Sequence, residues 1–236
     1  MYFQHSDEIW SAHPGLVAGV LAATGITADA AVEPLVEEFS ARAKARLAAG
    51  TEADLPEIQA WRRTFSAMGL KPTRYRCASE SLLRRFRKEG ALPRIHPLVD
   101  LCNAVSLAYA IPVAALDVAR ISGDLEVRHA TGDEEYRTLA GEPEHPEPGE
   151  VTFVDAAGHA HARRWTNRQS GHSAVRDTTR TVLIVVEALH ASAATDVPDL
   201  LAALSDALGD VWPATVRTTM VSRSAPCFDF QPPVVP

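Results

Sequence analysis

The run Leu92-Pro93-Arg94-Ile95-His96-Pro97-Leu98-Val99-Asp100-Leu101-Cys102-Asn103-Ala104-Val105-Ser106-Leu107 constrains this chain more than any other stretch. Prolines at 93 and 97 bracket the entry to an apolar segment with helical spacing, which predicts a helix over 96–110. Pro112 stops it, because the residue before a proline is pushed out of the α region. Asp100 and Asn103 are three apart and share one face; His96 lies four before Asp100, at the positive end of the helix. Burying the Asp and Asn side chains unpaired would cost about 1–3 kcal/mol each, so they need partners or a ligand. This helix is the first place to look for a site.

A chain of 236 residues supports one sizeable core. Apolar content of 46% with both charge signs is ordinary for a globular protein. No apolar run approaches the roughly 18 residues of a membrane span, and no basic-then-apolar leader opens the sequence. A cytoplasmic location with no membrane partner is the expectation. Cys77, Cys102 and Cys227 form no Cys-x-x-Cys and are expected as free thiols. The net charge of −7 argues against general nucleic-acid binding, and no DNA partner is expected. The charge is uneven, however. From Lys71 to Arg94 eight basic residues face two acidic ones. Arg74, Arg76, Arg84, Arg85 and Lys88 in this block could meet RNA phosphates, or simply form a solvated helix face.

Strands are predicted over 16–26, 113–115, 125–129, 151–155, 159–165 and 181–187, with Asp155-Ala156-Ala157-Gly158 as a tight turn. Helices are predicted over 31–49, from a capping box at Asp54-Leu55-Pro56-Glu57 to about Met68, over 81–88, and over 197–208. The order implies a mixed α/β (α+β) fold, organised as an N-terminal strand and helices (1–70), a core (71–221) and a Pro-rich tail (222–236). These pieces are expected to form one compact domain. The tail is expected to be extended and partly ordered.

Among chemical motifs, phosphate-binding loops and a nucleophile elbow are missing. His159 and His161 share a strand face, but no further ligand stands at metal spacing; a solvent-facing pair is expected, with no metal and no cofactor. Asp100 has two roles open to it: pinning the Arg94 or Arg168 guanidinium, or binding a ligand amine. Asn103 offers a donor and an acceptor, for the fold or for an amino-acid ligand. Trp165, Asn167, Arg168 and Gln169 place an aromatic plane, two amides and a guanidinium within five residues, enough to stack on and clamp a nucleotide or carboxylate. A core-plugging Trp and a paired Arg are the structural alternative. His172 and Ser173 follow, and either could position water.

The helix with Asp100 and Asn103, the continuation Ile111-Pro112-Val113-Ala114-Ala115-Leu116-Asp117 and Ile121-Ser122-Gly123-Asp124, and the block Arg163-Arg164-Trp165-Thr166-Asn167-Arg168-Gln169-Ser170 together resemble one family. It is the B3/B4 domain of the phenylalanyl-tRNA synthetase beta subunit, and more closely its free-standing bacterial versions. The resemblance covers about half the chain. It implies a B3/B4-like domain with helices packed on a central sheet. It further implies trans-editing: hydrolysis of mischarged aminoacyl-tRNA, with Arg94, His96, Asn103, Trp165, Asn167, Arg168 and Gln169 around the substrate and His172 and Asp100 nearest the chemistry. The expected partners are then tRNA or a small amino acid. The synthetase domain carries a His where this chain has Ala114 and a Glu at about Gly171, which favours the rival reading, a non-catalytic module binding an amino acid, a small metabolite or RNA in the same pocket.

Overall fold

In a computed structural model the described residues are 1–230. The chain runs β1 (Tyr2–His5), α1 (Asp7–Ala12), β2 (Val17–Thr24), α2 (Glu33–Leu47), α3 (Pro56–Ala67), α4 (Ala78–Glu89), α5 (Pro97–Tyr109) and β3 (Val113–Asp117). There follow β4 (Leu125–His129), β5 (Glu135–Arg137), β6 (Pro143–Glu144), β7 (Val151–Asp155), β8 (His159–Arg163) and β9 (Arg168–Gln169). The last elements are β10 (Thr181–Ala188), α6 (Ala193–Val211), β11 (Thr215–Val221) and β12 (Phe228–Asp229).

The mixed α+β class holds, and the strands divide into two sheets. An antiparallel four-stranded sheet has the order β11-β2-β10-β3. An eight-stranded sheet follows the order β12-β1-β4-β7-β8-β5-β6, with β9 paired to β8. The strand β10 shows why the smaller sheet is central. Its residues 182–186 are apolar on both faces, as a strand covered on both sides must be. Val182, Ile184 and Val186 join α5 and α6 in one core, through Leu98, Leu101, Val105, Val197 and Leu204. Leu183 and Val185 point the other way, into a second core with Phe3, Val127 and Phe153 of the larger sheet and Trp61, Phe65 and Leu83 of α3 and α4.

Some local expectations fail for identifiable reasons. Asp54 does not cap α3, because its carboxylate already accepts from the Thr51 N–H and hydroxyl in a capping box one turn earlier. Proline at the first position starts α3 without a side-chain cap. Strands β1 and β11 escape a reading by apolar runs. The expected tail is tied down as far as it is described: Asp229 and Phe228 pair with Tyr2 and Phe3, and Phe230 is fully buried. Residues 231–236 of that tail lie outside the described residues. Cys77, Cys102 and Cys227 are free; burial pushes the Cys77 and Cys102 thiols up to about 12. No helix among the described residues is long and apolar enough to cross a membrane.

Candidate functional site

The sequence-predicted residues fall into two separate regions. The first is a cleft between helices. His96 caps α5, with extended backbone (φ −155°, ψ 140°) and Nδ1 accepting the Leu98 N–H at 3.2 Å. Its buried Nε2 has no partner, and burial lowers its pKa. Asp100 Oδ1 accepts the Ile95 N–H at 2.9 Å, while Oδ2 stands 3.8 Å from the half-exposed Arg94 guanidinium. Asp100 thus secures the entry to its own helix, and its cation is Arg94.

One turn on, Asn103 faces a cleft of about 410 Å³. Val36, Glu37, Ser40 and Lys44 of α2 form the opposite wall, and the 90–94 segment closes one end. Asn103, Glu37 and Lys44 make no side-chain hydrogen bond or ion pair among the described residues. Glu37 and Lys44 are exposed and Asn103 is half-buried, so polar side chains free to pair stand around open volume, as a polar ligand requires.

The basic segment beside the cleft is more neutral than its sequence suggests. Glu52 reaches Arg87 at 2.7 Å and Arg84 at 3.8 Å, Arg85 binds Glu89 at 2.9 Å, and Arg76 meets Glu80 at 3.3 Å. Arg74 lies over the Tyr75 ring. Lys88 has no partner among the described residues.

The second region is the β8–β9 hairpin. Arg164 and Trp165 both take left-handed backbone (φ 48° and 58°), a strained reversal for residues with side chains. The strand therefore ends at Arg163, short of the predicted 165. Trp165 is fully buried, donates through Nε1 to Glu187 at 2.8 Å and packs edge-on against Trp61. Asn167 donates to the Arg76 carbonyl and Gln169 to the Ala115 carbonyl, each at 2.6 Å. Between them remains a cavity of about 60 Å³, space for roughly two waters. Arg168 is bound to Glu144 at 3.1–3.3 Å and lies over the Tyr136 ring, so it does not serve Asp100.

His159 and His161 are not a solvent-facing pair. Asp155 Oδ2 contacts His159 Nδ1 at 3.1 Å and His161 Nε2 at 3.2 Å, and His161 is fully buried. Burial alone would raise the Asp155 pKa, but the bonds from His161, His159 and the Ser122 and His159 N–H groups hold it well below the carboxylate range. His172 stacks on His159, with ring centres 4.4 Å apart, and meets the edge of His161. Burial, then the two neighbouring imidazoles, lowers the His172 pKa, which favours the neutral ring. His161 Nδ1 completes a line to Ser173 Oγ at 2.8 Å. Asp155, His161 and Ser173 form an acid-imidazole-hydroxyl line with the two ring nitrogens exchanged relative to a hydrolase triad, and Ser173 is 0% exposed. The sequence signal for this cluster was available: an acid four residues before the first of two histidines, across a tight turn.

The B3/4 domain family model matches residues 60–202, more than half of the chain. The chain belongs to the B3/4 domain family. No curated protein matches it by sequence. Among solved structures it is similar to the N-terminal fragment of the phenylalanyl-tRNA synthetase beta subunit from Pyrococcus horikoshii, with a TM-score of 0.50 and 9% identity. The match covers 93% of this chain and 54% of that one, so the chain spans about half the length of the fragment. At that identity the likeness is one of fold.

A Cβ at Gly171 would stand 2.5 Å from the Thr138 carbonyl oxygen, so no side chain fits without moving backbone. Gly171 is further held by its own N–H to the Arg137 carbonyl and by Arg176 on its carbonyl oxygen. Ala114 lines the 60 Å³ cavity beside Gln169.

Proposed function

We propose that this B3/4 protein binds the aminoacyl end of a charged tRNA and hydrolyses the ester when the amino acid is the wrong one. The observation that carries this reading is the roughly 410 Å³ cleft in which Asn103, Glu37 and Lys44 stand unpaired. An amino acid presents an ammonium, a carbonyl and a side chain, and the cleft offers a carboxylate, an amide and an apolar wall to meet them. Water would attack the ester carbonyl, the bond to the ribose oxygen would break, and the ribose hydroxyl would leave with a proton. Asn103 and Asp100 are the groups assigned to orient substrate and water, with Arg94 on the cleft lining towards phosphates. His172 does not line the cleft and is assigned no step.

A second reading, binding of an amino acid without hydrolysis, is favoured by the cleft lining, which contains no imidazole or thiol. The pairing of Arg76, Arg84 and Arg85 with acids also limits phosphate binding. The test is deacylation of a panel of correctly and incorrectly charged tRNAs, tyrosine on phenylalanine tRNA included, by wild type and Asn103→Ala. Selective hydrolysis that disappears in the variant supports editing in this cleft. No turnover by folded protein, with an amino acid bound in calorimetry, overturns hydrolysis in favour of the binding module.

A further inference from the structure

A third cluster lies away from both regions, where α2, α3 and the β10–α6 turn meet. Glu57 stands in the first turn of α3, Asp196 in the first turn of α6, and His190 in the turn before α6. One oxygen of each carboxylate and one imidazole nitrogen lie within 4.8 Å of one another. His190 Nε2 is 2.7 Å from Asp196 Oδ2, and the Ser192 hydroxyl donates to the same oxygen. Arg46 donates to Glu57 Oε1 at 2.6 Å and to the Ala108 carbonyl, which fixes the carboxylate's orientation.

This network is incomplete in one respect. Glu57 is 6% exposed and His190 5% exposed, yet Glu57 Oε2 and His190 Nδ1 have no hydrogen-bond partner. Buried polar atoms are normally satisfied, and a carboxylate oxygen left bare in the interior is unfavourable unless a cation or donor completes it. An open cleft of about 490 Å³, with Glu57 and Asp196 in its lining, provides a route from solvent.

We propose that Glu57, His190 and Asp196 form a binding site for a divalent first-row transition metal ion. Two carboxylates and an imidazole suit zinc, cobalt or manganese, whereas magnesium and calcium prefer oxygen donors alone. Three protein ligands leave positions for water facing the cleft. The ion would join α3 to α6. The Arg46 charge beside Glu57 weakens cation binding, so the site suits an exchangeable ion.

The test is titration of zinc and cobalt into the full chain by calorimetry and thermal shift, with wild type, His190→Ala, Asp196→Asn, Glu57→Gln and a His159→Ala/His172→Ala control. The expected result is one equivalent bound by wild type and by the control. Affinity should drop at least about tenfold in each of the three ligand variants. Cobalt bound to wild type should show a visible ligand-field spectrum that changes in Glu57→Gln, which retains a similar side-chain volume if His190→Ala fails to fold. Stoichiometric binding that survives Asp196→Asn and Glu57→Gln overturns the assignment. So does binding lost only in the His159→Ala/His172→Ala control, or no binding by folded wild type.

Discussion

The helical cleft and the β8–β9 hairpin carry similar inventories of polar side chains and put them to opposite uses. In the hairpin every conspicuous group is consumed by the fold: Trp165 by Glu187, Asn167 by the Arg76 carbonyl, Gln169 by the Ala115 carbonyl, Arg168 by Glu144. The space left there is about 60 Å³. In the cleft Asn103, Glu37 and Lys44 remain unpaired around about 410 Å³. A binding site needs unspent hydrogen-bonding capacity next to open volume, and clustering of polar residues is a poor guide to either.

The strongest test of this contrast is Trp165→Ala. Removal of a fully buried indole that also anchors Glu187 should destabilise the fold by about 3–5 kcal/mol in urea denaturation. A loss below about 1 kcal/mol would mean the hairpin is not a structural brace.

Next in size is the acid limb of stability. Asp155 and Glu134 have folded pKa values below their ordinary 3.8 and 4.5, Glu134 down to about 2. For Glu134, burial opposes the shift and bonds from Thr131, Gly132 and Arg128 outweigh it. A depressed folded pKa stabilises above the unfolded pKa and is lost as pH falls towards the folded one. Stability should therefore be full above roughly pH 4.5 and decline towards pH 2. Asp155→Asn should cost about 1–3 kcal/mol near neutral pH and leave a shallower acid limb in stepped-pH denaturation. An unchanged limb would remove Asp155 as the hub of the histidine cluster.

Asn103→Ala probes the cleft from the other direction. It should reduce ligand affinity or deacylation by about tenfold or more, equivalent to about 1.4 kcal/mol, and shift stability by less than about 0.5 kcal/mol. Large destabilisation with unaltered binding would show that Asn103 serves the fold. The smallest effect is expected for Arg168→Ala. Its exposed ion pair with Glu144 is worth less than about 1 kcal/mol, and turnover should stay within about twofold of wild type. A severe loss of activity would return the hairpin to the functional site.

Much of this was legible along the chain. The periodicity around Asp100 and Asn103 located α5, which starts at Pro97 and ends three residues before Pro112. The apolar tract of β10 showed itself as a buried strand. Alternation places His159 and His161 on one face without revealing whether that face is covered. The larger sheet covers His161, and the turn returns Asp155 to it. The basic segment is more neutral in the fold than along the chain for a related reason: Glu52 lies some thirty residues upstream of Arg84 and Arg87 in sequence and beside them in space.

The sequence by itself determined the family, the α+β class, and the helix whose polar face opens on a cleft, since these depend on local spacing and on motifs in order. Only the tertiary structure decided which charged groups are already paired. Arg168 belongs to Glu144 and Asp100 to Arg94, and Glu57, His190 and Asp196 converge from distant positions. Pairing is set by packing of elements far apart in the chain, and whether a side chain has a free hydrogen bond cannot be read from its neighbours in sequence.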